Sequence, residues 1–131
     1  KIKRDIDPAL YDYQVPVLTL QPLVENAIKH GIQPKVGPGT VEIIARLVDG
    51  EMLFIIRDDG VGISRDRLSK IFLPGYGSGN GVGLSNVHER LKSLFGEDYG
   101  LRIKSEINKG TSVYVRIPVK KALWQKEVAA R

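Results

Sequence analysis

Apolar side chains stand at every second position of VEIIARL (41–47), and MLFIIR (52–57) follows after a turn containing Asp49 and Gly50, which predicts a β-hairpin. LRIKSEI (101–107) and TSVYVRI (111–117) repeat the pattern around Asn108, Lys109 and Gly110. Strict alternation leaves one face of the sheet to water and requires a cover for the other. The cover has helical period. In LTLQPLVENAIKHG, the residues Leu20, Leu23, Val24, Ala27 and Ile28 form an amphipathic stripe, with Thr19 as N-cap and Gly31 as C-terminal stop. A second helix, from about Gly83 to Phe95, is expected to bury Leu84, Val87, Leu91 and Leu94, with Gly96 after its end, and RDRLSKIF predicts a short third. The fold class is therefore α+β, a two-layer α/β sandwich whose mixed, mostly antiparallel sheet is covered on one face by helices. YDYQV (11–15) also alternates, and KIKRDID reads as an edge strand or as the entry from something upstream. The chain reads as part of a longer one, with a domain over 1–119 and a basic tail over 120–131.

At 131 residues and 42% hydrophobic, the chain has the size of one domain with one core. No run approaches the ~20 apolar residues of a membrane span, and the start lacks the apolar region of a signal peptide. The absence of cysteine removes disulfides, zinc–thiolate sites and thiol nucleophiles. A net charge of +5 invites a nucleic-acid reading, but the tail alone places Lys120, Lys121, Lys126 and Arg131 against Glu127. No basic stripe interleaved with aromatics remains in the body, so a solvated tail is the favoured reading and nucleic acid is not an expected partner.

Chemistry is suggested at three places. Opposite the apolar stripe of the first helix, Pro22, Glu25, Asn26 and Lys29 stand at i, i+3, i+4 and i+7, with His30 next. Asn is a poor helix former, yet its amide oxygen suits Mg²⁺ and a lysine one turn on suits a phosphate; alone, the stripe also reads as an exposed face. MLFIIRDDGVGI delivers Asp58 at a strand end before Gly60 and Gly62, where missing side chains would let a flat ring lie on the backbone while Asp58 accepts from an exocyclic amine such as adenine N6. Alone, Asp-Asp-Gly also reads as a turn. Gly75, Gly77, Gly79, Gly81 and Gly83 approach the second helix start, which suggests a phosphate site with a lid, or a plain surface loop. Neither GxGxxG after a strand nor GxxxxGK[ST] occurs.

Taken in order, and with Gly110-Thr111 in the last hairpin, these segments resemble the GHKL nucleotide-binding fold over residues 15–118. PLVENAIKHG is similar to that family's N box, DDGVG to its G1 box, IFLP to a reduced F box, GNGVGLSNV to its G2 box and KGTSV to its last box. LQPLVENAIKHGI followed by GVGLSNVHERL closely resembles the LytS-type sensor histidine kinases. That resemblance implies ATP and Mg²⁺ as cofactors. By it Asn26 holds Mg²⁺, Lys29 and the backbone from Gly81 to Leu84 meet phosphate, Asp58 binds the adenine amine, and Thr111 supports it through water. Gly60, Gly62, Ile63, Gly79, Val82 and Gly83 complete the ATP-binding set, and Glu25, Asn26, Lys29 and His30 the catalytic one. His30, Asn86 and Arg90 match motif positions whose roles stay open, and Arg90 could instead pair with Glu89 or a strand residue.

Such kinases carry their phosphoacceptor histidine in a helical dimerisation segment before this domain. The two histidines here, His30 and His88, both sit inside domain motifs, and His88 near an apolar helix face reads as structural. The resemblance thus implies the catalytic half of a kinase. Its partners would be ATP, the phosphoacceptor dimerisation domain and a response regulator, in a homodimeric parent anchored in the bacterial inner membrane with this domain in the cytoplasm. Two alternatives share the fold: a hydrolysing ATPase, and a pseudokinase that binds nucleotide and signals by shape. Hydrolysing relatives carry a glutamate one helical turn before the asparagine, where this chain has Pro22; Glu25 is rotated about 100° from that position.

Overall fold

The computed structural model describes residues 1–8, 17–73 and 84–118, excepting the side chains of 17–19. The alternation in YDYQV, the glycine-rich stretch with Gly79, Gly81, Val82 and Gly83, and the 120–131 tail lie outside the described residues. The elements in chain order are β1 (Ile2–Ile6), α1 (Val17–Asn26), which continues as a π-helical turn (Ala27–Ile32), β2 (Val41–Val48), β3 (Glu51–Asp58), α2 (Arg65–Leu68), α3 (Leu84–Phe95), β4 (Leu101–Glu106) and β5 (Gly110–Pro118).

The strands form one five-stranded sheet in the order β1-β2-β3-β5-β4. Both expected hairpins are present. The first closes on Asp49 and Gly50 with φ of 51° and 75°, the doubly left-handed turn that matches the twist of its strands. KIKRDID is an edge strand, and it pairs parallel to β2 with Ile2 opposite Val41, which makes the sheet mixed. Arg46 secures that edge, donating to the Asp5 carboxylate at 2.7 Å and to its backbone carbonyl at 2.9 Å.

One face of the sheet is dry. Val41, Ala45, Met52, Phe54, Ile56, Val113, Val115 and Ile117 meet Leu23 and Ala27 of the first helical segment and Leu84, Val87 and Leu91 of α3 in a single cluster. Three details differ from expectation. Thr19 lies inside α1, which begins at Val17. Phe95 rather than Leu94 packs against the core from the last turn of α3. The third helix is one turn only, capped by Ser64 accepting from the Arg67 N–H at 3.3 Å.

His88 has the structural role expected of it. Its Nδ1 accepts from the Leu101 N–H at 2.9 Å, and its ring stacks on Phe72 with centroids 4.0 Å apart. One imidazole thereby ties α3, the head of β4 and the segment after α2 together.

Candidate functional site

The first helix does not stop at Gly31. It widens into a π-helical turn, with the Gln33 N–H donating to the Ile28 carbonyl five residues back at 2.9 Å. Its end is pressed close across the seam between helix and sheet. A Cβ on Gly31 would stand 2.7 Å from Asp58 Oδ1, and a Cβ on Gly60 would collide with the Gly31 carbonyl. That carbonyl accepts from the Val61 N–H at 3.0 Å, so the helix end and the 58–63 loop are stitched backbone to backbone. Gly60 is therefore held against the helix end on the side where a side chain would project. Gly62, at φ 76°, likewise meets the Glu106 carbonyl on the side where a side chain would project.

Asp58 ends up under this seam, only 6% exposed. Burial raises the pKa of its carboxyl, and neighbouring Asp59 adds to that; the backbone N–H groups of Gly60 and Thr111 oppose it by hydrogen bonding to the carboxylate. The Gly60 N–H lies 2.9 Å from Oδ1. A desolvated acceptor held in place by backbone donors is poised to take a hydrogen bond from a ligand.

Thr111 stands directly opposite Asp58 on β5, and Ser105 opposite Thr111 on β4. The two hydroxyls are 2.7 Å apart, and Ser105 Oγ also receives the Ile63 N–H at 2.8 Å. The result is a polar row across three strands at one end of an otherwise apolar sheet face. Ser105 was not among the expected residues. Its signal is nonetheless present: Leu101 and Ile103 mark the inward phase of β4, and Ser105 is the polar residue in that phase.

A recess between helix and sheet is lined by Asn26, His30, Asp58, Gly62, Ile63 and Thr111, all six anticipated from the sequence, together with Leu23, Ala27, Gly31 and Val113. The half-buried Asn26 side chain makes no capping bond, and none of its polar atoms has a partner among the described residues. Burial lowers the pKa of His30, as do Lys29 and Arg67 of α2. Glu25 and Lys29 point to solvent beside the recess, while Leu84 heads α3 in the core. Among the described residues no three His, Asp or Glu side chains gather as a metal site. One neutral amide oxygen fits a hard cation whose remaining ligands are phosphate and water.

An independent comparison matches residues 12–121 to the family of histidine kinase-, DNA gyrase B- and HSP90-like ATPases. The chain belongs to this family. Its fold is that of the GHKL ATPases. The sensor histidine kinase YesM of Bacillus subtilis is 39% identical over 118 residues, covering 90% of this chain and 19% of that protein. The sensor protein LytS of Bacillus anthracis is 36% identical over 122 residues, covering 92% and 21%. The chain thus spans about a fifth of the length of these relatives. The histidine kinase domain of the Erythrobacter litoralis EL346 blue-light activated histidine kinase superposes with a TM-score of 0.65 at 24% identity, over 95% of this chain and 55% of that one. The catalytic domain of histidine kinase ThkA gives 0.67 at 18%, over 90% and 77%. Both share the GHKL fold found here. Among the described residues no helix is long and apolar enough to cross a membrane.

Proposed function

We propose that this GHKL domain binds Mg·ATP and transfers its γ-phosphoryl group to a histidine in a dimerisation segment of a longer, membrane-anchored, homodimeric sensor kinase, which then serves a response regulator. The observation that carries this reading is the convergence of Asn26, His30, Asp58 and Thr111, from a helix and two strands, on one recess. In the transfer the bond from the β–γ bridging oxygen to the γ-phosphorus breaks, a bond from an imidazole nitrogen to phosphorus forms, and the imidazole proton is released as ADP departs.

In this reading Asp58 accepts from the adenine amine and the Gly60–Gly62–Ile63 backbone forms one wall. Lys29 neutralises phosphate charge, and Asn26 offers its oxygen to Mg²⁺, which when bound supplies charge neutralisation at the phosphates. Glu25 shares the exposed face with Lys29, on the side from which an acceptor would approach. Pro22 stands where hydrolysing relatives place a glutamate, so water has no base there and the nucleotide is conserved for the histidine.

The test supplies γ-labelled Mg·ATP to the domain, with and without the histidine-bearing segment of the parent chain. Label should appear on histidine only when that segment is present. Phosphate release from the domain alone should stay far below the ~10 s⁻¹ typical of enzymes. Release near that value would support the hydrolysing alternative, and ATP binding without either outcome would support a nucleotide-binding pseudokinase.

A further inference from the structure

The polar row at the end of the sheet contains one member to which the nucleotide reading gives no task. Ser105 Oγ lies 2.8 Å from the Ile63 nitrogen, 3.0 Å from the Gly110 carbonyl and 2.7 Å from Thr111 Oγ1. A serine hydroxyl has one proton and two lone pairs. The Ile63 N–H occupies one lone pair, and the proton goes to the Gly110 carbonyl, which cannot donate. All three contacts are satisfied together only when the Thr111 hydroxyl donates to Ser105.

That direction has a consequence across the strand. With its proton turned towards Ser105, Thr111 presents only lone pairs on the side of Asp58, itself an acceptor buried beside it. The side chains at the floor of the recess then accept and do not donate, the Gly60 and Thr111 N–H groups being taken up by the Asp58 carboxylate. Such a floor matches the exocyclic amine of adenine, and it leaves a carbonyl at the same ring position facing acceptors without a proton between them, which costs more than a missing contact. The hairpin tip supports the same arrangement, since the Asn108 N–H donates to the Val61 carbonyl at 2.8 Å and fixes the loop on which Ile63 lies.

Resting on the proposed nucleotide site, we infer that Ser105 is a positioning residue that sets the direction of the Thr111 hydroxyl and thereby makes the base pocket select an amino purine over an oxo purine. The experiment measures displacement of a fluorescent ATP analogue from wild type, Ser105→Ala and Ser105→Thr by three competitors: ATP, inosine triphosphate and purine riboside triphosphate, which has neither group at that ring position. In Ser105→Ala the freed Thr111 hydroxyl can turn and donate. ATP should weaken and inosine triphosphate should tighten, so that their ratio narrows roughly fivefold to tenfold, while purine riboside triphosphate holds its affinity. Ser105→Thr, which keeps the hydroxyl, should restore the wild-type ratio.

An unchanged ratio in a variant that binds as wild type does would overturn the inference. So would a parallel loss for all three competitors, which marks a general structural role. Either result leaves the nucleotide reading standing. Failure of wild type to bind any of the three would remove that reading and this inference together.

Discussion

Asp58 shows what the site costs the fold. Its carboxyl pKa is raised by burial, so the ionised form is less favourable in the folded chain than in the unfolded one. A raised folded pKa contributes stability that is present below the unfolded value and lost as pH rises through the folded one. At neutral pH the charge is therefore carried at a loss. Asp58→Asn keeps an oxygen for the Gly60 N–H and removes that burden, so the apo protein should melt a few degrees higher by calorimetry. The same variant should lose ~1.5–3 kcal/mol of ATP affinity and most discrimination against GTP, read by titration of both nucleotides. A variant no more stable than wild type would show that the Asp58 charge is not carried at a loss, and one that binds ATP equally well would show that Asp58 does not meet the nucleotide.

The polar members of the row were legible at this scale because each breaks a strand's own rhythm. Asp58 follows Met52, Phe54 and Ile56 in the inward phase of β3, and Thr111 precedes Val113, Val115 and Ile117 in that of β5. Ser105 occupies the corresponding place on β4. It escaped notice because a serine in an exposed-looking hairpin carries no chemical signature of its own; what distinguishes it is its partners, from three separate positions in the chain. The reason for Gly31 was illegible for the same kind of cause, since Asp58 and Gly60 meet it only once the helix docks on the sheet.

At the scale of elements, hairpins and helices followed their hydrophobic period closely, and departures appear where one element answers to another. The π-helical turn after α1 is the main case. A local helical pattern ending in glycine predicts a stop, but the chain continues as a wider turn whose Gly31 carbonyl accepts from the Val61 N–H. The His88 junction makes a second, testable case. Its Nδ1 must stay unprotonated to accept the Leu101 N–H, and burial lowers its pKa, assisted by Lys92 and opposed by Glu89 and Glu97. A lowered folded pKa contributes stability that is complete above the ordinary imidazole value of about 6.5 and is lost as pH falls from there through the folded value. Urea midpoints of wild type should therefore drop between about pH 7.5 and about pH 5.5. His88→Gln should narrow that drop; an equal drop in both proteins would remove His88 as the source, leaving His30, whose pKa is lowered in the same direction.

For the whole molecule, the recess lies between its two layers, with Asn26 and His30 from the helical side and Asp58 and Thr111 from the sheet. A ligand seated there links the layers, so nucleotide binding should register as global stability. At a hundred times Kd, Mg·ATP should add about 2.7 kcal/mol, a rise in melting temperature on the order of 10 °C for a chain of this size. Asn26→Ala should reduce the part of that rise that depends on Mg²⁺, measured by thermal scans with and without the cation. A melting curve indifferent to saturating Mg·ATP would mean that the folded domain does not bind it.

The parallel edge strand adds a mechanical dimension. β1 meets β2 only after the chain has gone out through α1 and returned, so its pairing closes a long loop and yields fewer local contacts to offset the entropy of closure. Such a strand is the last to zip and the first to peel. Tension at Lys1 would load the Ile2–Ile6 pairing before it reached the central β3–β5 pair, and the segment released first would be the one that encloses α1 and its Asn26. β1 is thus placed as a fuse ahead of the packing of α1, and its amides should exchange hydrogen well ahead of those in β3 and β5.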